Sequence, residues 1–282
     1  MADNSGARQP ATADGTLGLD AHKPAEMARL VTESGIVKAR LPALTLFTLA
    51  LLAGAFIAFG AMFYTVVITG STIGFGPTRL LGGLAFSLGL VLVIVGGAEL
   101  FTGNNLIAMA WADRRVTTAE MLRNWGIVYA GNFAGALGAA LFLHLAGGLA
   151  AGDGAVAETA IRIAEGKAAL GPVEAFFRGL LCNALVCLAV WLCFAARDVA
   201  GRIAAIIFPI SAFVALGFEH SVANMYLLPI GMLAGANVGI GAATANLAIV
   251  TAGNIAGGAL LVALVYWVVY LRGRGGSTRT TR

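Results

Sequence analysis

Charged residues are scarce in this chain. Only 11% of its 282 residues are Asp, Glu, Lys or Arg, whereas 59% are hydrophobic, and the mean hydropathy is +0.87. Because a soluble domain carries about a quarter charged residues, this composition excludes an ordinary globular protein and is typical of a membrane protein. The net charge of +4 does not indicate a nucleic-acid partner, since the basic residues lie outside the apolar runs.

Cysteine and histidine are also rare, with three of each. Cys182, Cys187 and Cys193 all fall within one apolar run, and a disulfide inside a single helix is geometrically unfavourable. Neither residue type forms a cluster with metal-ligand spacing. We therefore expect no metal site and no cofactor, and we interpret the three thiols as small buried apolar side chains.

The apolar residues form six long runs. A bilayer core of ~30 Å requires about 20 apolar residues per helix, and each run satisfies this length. The sequence therefore predicts an all-α membrane protein with six transmembrane helices, of which the second and fifth are interrupted by polar residues. The runs cover approximately residues 43–69, 78–111, 120–150, 172–196, 201–232 and 242–271.

Two polar tails flank this predicted transport domain of residues 41–271. Residues 1–40 begin without an apolar signal-peptide region, and residues 24–38 within them have the pattern of a short amphipathic helix. Residues 272–282 form a short basic tail. We expect both tails to lie in the cytoplasm.

The basic residues are distributed unevenly between the two sides that the six runs define. Fourteen of the 18 Lys and Arg residues fall in the tails and in the loops after the second and fourth runs. Cytoplasmic loops carry an excess of Lys and Arg, so the pattern predicts a bacterial inner-membrane protein with both termini in the cytoplasm. The side opposite the cytoplasm has only four basic residues, which are Arg79, Arg162, Lys167 and Arg178. Of these, Lys167 is expected in a solvated loop between the third and fourth runs.

Two polar motifs recur along the chain. Residues 97–104 (GAELFTGN) match 217–224 (GFEHSVAN) at an offset of 120, and residues 130–135 (AGNFAG) match 252–257 (AGNIAG) at an offset of 122. Two matches at nearly one offset indicate duplication of a three-span unit. Because three is odd, the second copy must cross the membrane in the opposite direction, which predicts two inverted three-helix repeats with a solute site between them.

The recurring motifs place a carboxylate and an amide deep inside each interrupted run. A carboxylate at that depth costs at least ~2.5 kcal/mol and needs partners. A broken helix frees backbone N–H groups, which such side chains can satisfy. We therefore interpret Glu99 with Asn104, and Glu219 with Asn224, as support for two helix breaks. Carboxylates would repel an anion, so they are poor candidates for lining its pathway.

Thr102 and His220 lie in the same interruptions and are better candidates for contacting a solute, because a histidine beside a helix break can donate a hydrogen bond or a proton. Ser221 follows His220 directly, but adjacent helical residues point about 100° apart, so the two do not form a nucleophile–base pair. We predict a transport protein and not an enzyme. A channel for water, glycerol or ammonia stays an alternative, although neither break carries the Asn-Pro-Ala motif of aquaporins.

Several segments closely resemble the signatures of the formate/nitrite transporter family, over about residues 38 to 272. They are 96–104 (GGAELFTGN), 217–225 (GFEHSVANM), 253–258 (GNIAGG), 181–183 (LCN) and 185–191 (LVCLAVW). The resemblance implies an aquaporin-like protomer, a homopentamer in the lipid bilayer with one pathway per protomer, and bidirectional passage of formate, nitrite or similar small monovalent anions.

The resemblance also implies roles for individual residues. His220 and Thr102 would be the central polar pair, with Asn246 at a polar position that begins the sixth span. Lys167 would be the vestibule lysine, and Asn183 its asparagine partner. The residues implied for the hydrophobic constrictions are Phe86, Leu90 and Phe213, with Phe101 near them.

One departure concerns the linker between the fifth and sixth runs. Residues 232–243 are short and uncharged, whereas some formate-selective members have a long linker there. Formate, nitrite and hydrosulfide transport are therefore not separated by the sequence.

The sequence also constrains how an anion would cross. An ion that enters a narrow apolar constriction loses its hydration, and no Lys or Arg lies in the middle of a predicted span to offset its charge. We expect Lys167 to attract the anion, protonation to follow, and the neutral acid to pass. His220 would supply or relay the proton while Thr102 orients the substrate oxygen.

Overall fold

The computed structural model describes residues 21–273, and the regular structure in this part of the chain is helical throughout. Five of its helices are long and apolar enough to cross a membrane, so the chain is a multi-pass membrane protein. Most of the two predicted tails, residues 1–20 and 274–282, lies outside the described residues. The five helices are Ala43–Ile68, Phe75–Gly96, Thr118–Leu145, Pro172–Ala195 and Ile240–Tyr270.

The first half of the chain begins with the predicted amphipathic helix, which has Pro24 in its first turn and packs its small and apolar face against the bundle. Thr117 and Glu120 form a capping box at the start of the last helix, each satisfying a backbone N–H of the other. The helices are α1 (Pro24–Ala39), α2 (Ala43–Ile68), α3 (Phe75–Gly96), α4 (Phe101–Asn104), α5 (Ile107–Ala112) and α6 (Thr118–Leu145).

The second half has the same order of elements. It comprises α7 (Ala155–Ala168), α8 (Pro172–Ala195), α9 (Val199–Ala215), α10 (Ser221–Ala234), α11 (Ile240–Ile255) and α12 (Val265–Tyr270), with a π-helical segment, Ala256–Leu264, joining the last two helices.

Helix α7 corrects the expectation of a loop around Lys167. Its buried face consists mainly of small residues, such as Ala160 and Ala164, so the apolar pattern in the sequence is weak. The helix occupies the position in the second half that α1 occupies in the first. The repeating unit is therefore a short helix followed by three apolar segments, one element more than the sequence indicated.

The predicted interruptions of the second and fifth segments are confirmed. Gly97 follows the end of α3 and Gly217 lies just after the end of α9. Both glycines have positive φ angles, 79° and 73°, which L-residues with a side chain rarely adopt. After each glycine the chain is extended at the residue before the next helix, which is Leu100 in the first repeat and His220 in the second. Because α9 and α10 are each shorter than a membrane span, the count of six crossings stays a prediction.

Matched glycines set the helix packing in both halves. A Cβ atom on Gly135 of α6 would collide with the carbonyl oxygen of Leu51 on α2, and a Cβ atom on Gly257 would collide with that of Leu180 on α8. Small residues allow backbones to approach this closely in a membrane. Each half therefore packs its last helix against its first long one through the same contact.

Candidate functional site

Two vestibules enter the bundle. The Lys167 vestibule has a volume of about 490 Å³, and its buried lining residues include Phe86, Phe213 and His220. The Lys38 vestibule also has a volume of about 490 Å³, and its buried lining residues include Leu90 and Leu100. The two vestibules therefore approach the same central region from different sides.

The vestibules show that the two halves are antiparallel. Thr78 and Arg79, at the start of α3, line the Lys167 vestibule together with Gly217 at the end of α9. Gly97, at the end of α3, lines the Lys38 vestibule together with Arg202 at the start of α9. Because α3 and α9 pack side by side but run between the same two vestibules in opposite directions, the halves form an inverted repeat.

An apolar constriction separates the two vestibules. Phe86 and Leu90 lie one turn apart on α3 and are 4% and 2% exposed. The rings of Phe86 and Phe213 meet edge to face with centroids 5.5 Å apart. The ring of Phe213 also stacks on the imidazole of His220 at 5.9 Å. Phe86 and Phe213 therefore meet at the Lys167 vestibule, and Leu90 lies one turn away on α3 at the Lys38 vestibule. That these three side chains form the constriction of a pathway stays a prediction.

Phe101 does not join this constriction. Its ring packs against Tyr129, with centroids 5.0 Å apart, and against Trp125 at 6.3 Å, and it lines neither vestibule. The backbone N–H of Phe101 donates to Asn132 Oδ1 at 2.9 Å. Because Asn132 lies on α6, this bond holds the Phe101 backbone beside that helix, and the ring packs there.

Thr102 and His220 form a buried pair between the vestibules. Thr102 Oγ1 and His220 Nε2 lie 2.9 Å apart, and the two residues are 0% and 3% exposed. Thr102 comes from the first repeat and His220 from the second, although they do not occupy equivalent positions. The pair is therefore the point at which the two broken segments meet.

The other ring nitrogen of His220 determines which tautomer this pair uses. His220 Nδ1 accepts the backbone N–H of Ala223 at 3.1 Å and so caps α10. An acceptor nitrogen carries no hydrogen, so the ring hydrogen of neutral His220 lies on Nε2. His220 then donates to Thr102 Oγ1, and the hydroxyl hydrogen of Thr102 stays available to another acceptor.

A network of four residues supports the break in the second repeat. Lys167 Nζ donates to Glu219 Oε1 at 2.8 Å, and Asn224 Nδ2 donates to Glu219 Oε2 at 2.7 Å. Asn224 also donates to Asn246 Oδ1 at 2.8 Å, and Asn246 donates to the carbonyl of Lys167 at 2.9 Å. The lysine is thereby held at the carboxylate from both its side chain and its backbone.

The first repeat contains the same network with different residue numbers. Lys38 Nζ donates to Glu99 Oε1 at 2.6 Å, and Asn104 Nδ2 donates to Glu99 Oε2 at 2.7 Å. Asn104 also donates to Asn124 Oδ1 at 3.0 Å, and Asn124 donates to the carbonyl of Lys38 at 2.9 Å. Each intramembrane carboxylate therefore has a lysine and an amide as partners.

Two further asparagines anchor the broken segments at equivalent positions. Asn132 donates to the carbonyls of Ala50 and Glu99. Asn254 donates to those of Gly179 and Glu219. Each asparagine therefore satisfies the carbonyl that a helix break exposes, that of Glu99 or Glu219, and ties it to a neighbouring long helix, α2 or α8.

Lys38 and Asn124 are members of this network that the sequence motifs do not predict. Lys38 was counted only among the basic residues before the first span, because it lies on the amphipathic helix and is 61 residues from Glu99. Lys38 and Lys167 each lie at the end of a short helix that precedes a long apolar run, and this shared position would have indicated that Lys38 is the equivalent of Lys167. The equivalence was not predicted because α7 was expected to be a loop.

Asn183 does not pair with Lys167. Its Nδ2 lies 3.2 Å from the carbonyl oxygen of Thr102, 2.7 Å from that of Asn254 and 2.7 Å from Asn105 Oδ1. A buried amide with these acceptors positions Thr102 relative to the second repeat. The asparagine that contacts Lys167 is Asn246, which donates to the Lys167 backbone carbonyl at 2.9 Å.

Comparisons with known proteins agree with this architecture. The family model described as "Formate/nitrite transporter" matches residues 25–268. The chain is 40% identical over 269 residues to "Formate channel FocA" of Escherichia coli (strain K12), covering 88% of this chain and 94% of the relative. It is 37% identical over 255 residues to "Formate channel BtFdhC" of Bacillus thuringiensis, covering 88% of this chain and 96% of that relative.

Two solved structures are similar in fold. One, described as "Pentameric formate channel with formate bound", has a TM-score of 0.75 and 38% identity and covers 81% of this chain and 98% of its own. The other, described as "FNT family ion channel", has a TM-score of 0.79 and 27% identity. Its match covers 86% of this chain and 98% of its own.

Proposed function

Because this chain belongs to the formate/nitrite transporter family, we propose that it passes small monovalent anions, formate first and nitrite next, across the bacterial inner membrane. It acts as a channel or transporter and not as an enzyme. The Thr102–His220 pair between two vestibules carries this proposal, since it offers a hydrogen-bonding site at the closed centre of an otherwise apolar passage.

The constriction favours passage of the substrate as its neutral acid. Phe86, Phe213 and Leu90 offer no charge to replace the hydration of an anion, whereas a neutral acid loses far less on entering. The anion takes up a proton, crosses the constriction as the acid, and releases the proton on the other side. Net flux is therefore coupled to protons.

His220 orients the acid in this scheme and is not the source of its proton. The hydrogen on Nε2 is the only one that the neutral ring holds, and a second proton at Nδ1 would face the N–H of Ala223. The proton therefore comes from the aqueous side, and the hydroxyl of Thr102 donates a hydrogen bond to a substrate oxygen. This revises the role that the sequence suggested for the histidine.

We extend the proposal to the assembly and its orientation. The protomers form a homopentamer, as in the pentameric formate channel that resembles this chain, and each has its own pathway. Six crossings place both termini on the same side of the membrane, and the excess of Lys and Arg on that side makes it the cytoplasm. The Lys38 vestibule then faces the cytoplasm, and the Lys167 vestibule faces the outside.

Flux into liposomes that contain the purified protein and a pH-sensitive dye tests the function. We expect protein-dependent uptake of formate and nitrite that rises up to about tenfold per unit fall in external pH, because the protonated fraction of a weak acid changes in that proportion above its pKa. Empty liposomes are the control for acids that cross lipid unaided. Thr102→Val, which removes the hydroxyl at nearly constant shape, should lose most of this uptake.

The same assay separates the alternatives. Hydrosulfide carried faster than formate would assign the chain to another weak-acid subtype. Glycerol or water flux without any protein-dependent anion uptake would reject the proposed function and favour a channel for neutral solutes.

A further inference from the structure

All four basic residues that the sequence places on one side of the membrane line the Lys167 vestibule. Lys167 is paired with Glu219 at 2.8 Å, Arg178 with Glu174 at 2.6 Å, and Arg162 with Glu158 at 3.8 Å. Within residues 21–273, no ion pair joins the fourth, Arg79, to a carboxylate. Arg79 therefore provides the positive charge that is not compensated in this vestibule.

The guanidinium of Arg79 is held in place by three features. Its Nε donates to the carbonyl of Ala215 at 3.1 Å, and its Cζ lies 5.5 Å from the ring centroid of Phe75. Its Nη2 lies against Gly217, where a Cβ atom would be 2.7 Å away. One of the five guanidinium hydrogens is used in this arrangement, which leaves the two terminal nitrogens as donors towards the vestibule.

The other vestibule also contains an arginine, Arg202 at the start of α9, but this residue does not lie against the glycine of the helix break. Gly97 is the repeat equivalent of Gly217, but no atom lies within 4 Å of the position that its Cβ would occupy. The carbonyl that accepts the N–H of Glu219 belongs to Arg178, whereas the one that accepts the N–H of Glu99 belongs to Leu49. A guanidinium held against the glycine of the helix break is therefore a feature of one repeat and breaks its symmetry with the other.

We propose that Arg79 forms an anion-binding site at the mouth of the Lys167 vestibule, which captures formate or nitrite before the constriction. The inference rests on the proposed function for the identity of the substrate. The two terminal nitrogens of a planar guanidinium match the two oxygens of a carboxylate or nitrite. An anchored side chain also loses little conformational freedom when it binds. Apparent affinity for the anion then differs between the two faces.

Uptake at a series of formate concentrations, from each face separately, tests this site. Arg79→Gln retains a donor for the Ala215 carbonyl but removes the charge and the fork of donors. We expect the half-saturating concentration to rise about tenfold from the Lys167 face and to stay unchanged from the Lys38 face. The maximal rate from the Lys167 face should rise in the same proportion, because a site that binds before the barrier holds the anion back as well as capturing it. The half-saturating concentration of Arg79→Lys should lie between those of the unchanged protein and Arg79→Gln.

Arg123→Gln is the matched control. Arg123 also donates to a backbone carbonyl, that of Leu41 at 3.2 Å, but it lines neither vestibule. This variant should keep the half-saturating concentration of the unchanged protein. An Arg79→Gln protein that behaves like Arg123→Gln, or that loses affinity equally from both faces, would overturn the site.

A second measurement requires no flux. Phenylglyoxal modifies accessible arginines, and mass spectrometry reports the modification of each one. At constant ionic strength, formate should protect Arg79 and leave Arg123 unprotected, while glycerol should protect neither. Equal modification of Arg79 with and without formate rejects the site even if formate is transported. Protection of Arg79 without any transport supports the site and contradicts the proposed function alone.

Discussion

His220 combines two roles in one ring. Its Nδ1 caps α10 through the N–H of Ala223, and its Nε2 bonds Thr102. The cap contributes to folding, whereas the bond to Thr102 belongs to the proposed pathway. Replacements that retain one role and remove the other can therefore separate them.

Two substitutions of His220 should give different stabilities but the same loss of transport. Asn is a good helix cap, so His220→Asn should retain the stability of the protein, whereas His220→Phe should lose about 1 kcal/mol with the cap. Both remove the bond to Thr102, so both should reduce formate flux by more than tenfold if that bond is worth about 1.5 kcal/mol or more. Unfolding in detergent and liposome flux measure the two effects.

The control for these variants is Thr102→Val, which leaves the cap of α10 intact. Formate flux in His220→Phe that equals the flux of the unchanged protein would show that the histidine does not act in the pathway. A stability loss in His220→Asn as large as that in His220→Phe would contradict the capping role.

At the scale of the helices, glycine position decides how closely α6 approaches α2. Gly135 lies against the Leu51 backbone, while the position of a Cβ atom on Gly138, one turn later, has no atom within 4 Å. The two residues share a helix, but Gly135 is buried and Gly138 is half-buried. They therefore provide a comparison between a glycine in the helix contact and one outside it.

Gly135→Ala should destabilise the protein by about 2 kcal/mol, because the added methyl group forces the two backbones apart. Gly138→Ala should be neutral or stabilising by up to about 1 kcal/mol, since alanine is the better helix former. Denaturant unfolding followed by tryptophan fluorescence measures both. Equal effects of the two substitutions would show that the close contact does not determine stability.

At the scale of the whole molecule, the two repeats place one Lys–Glu pair beside each vestibule. The side chains of Lys167 and Glu219 are 15% and 4% exposed, and those of Lys38 and Glu99 are 31% and 8% exposed. Removing one partner of a buried pair leaves an unpaired charge and costs about 3–5 kcal/mol, more than the pair itself contributes. The cost should fall as the exposed fraction rises.

Glu219→Gln should therefore destabilise the protein by about 3 kcal/mol, and Glu99→Gln by less. Combining Glu219→Gln with Lys167→Met should recover much of the loss, because the buried charge is then gone. Thermal unfolding of the single and double variants measures this. No recovery in the double variant would show that the carboxylate acts through Asn224 and not through the lysine.

The sequence by itself determined the helical membrane class, the two breaks and the internal repeat. These features depend on local composition: long apolar runs, glycines where the backbone needs positive φ, and Glu and Asn residues that are costly in a membrane unless they serve a structural purpose. The residues that meet at the centre, Thr102 and His220, lie inside those motifs. They could therefore be identified without knowledge of the packing.

Only the tertiary structure decided which side chains meet across the bundle. Lys38 reaches Glu99 across 61 positions and Lys167 reaches Glu219 across 52, while Phe101 turns away from the constriction. Such contacts depend on how each helix is rotated about its axis and on where the short helices α1 and α7 pack. Neither hydropathy nor residue spacing encodes that rotation, because in a membrane both faces of a helix are apolar.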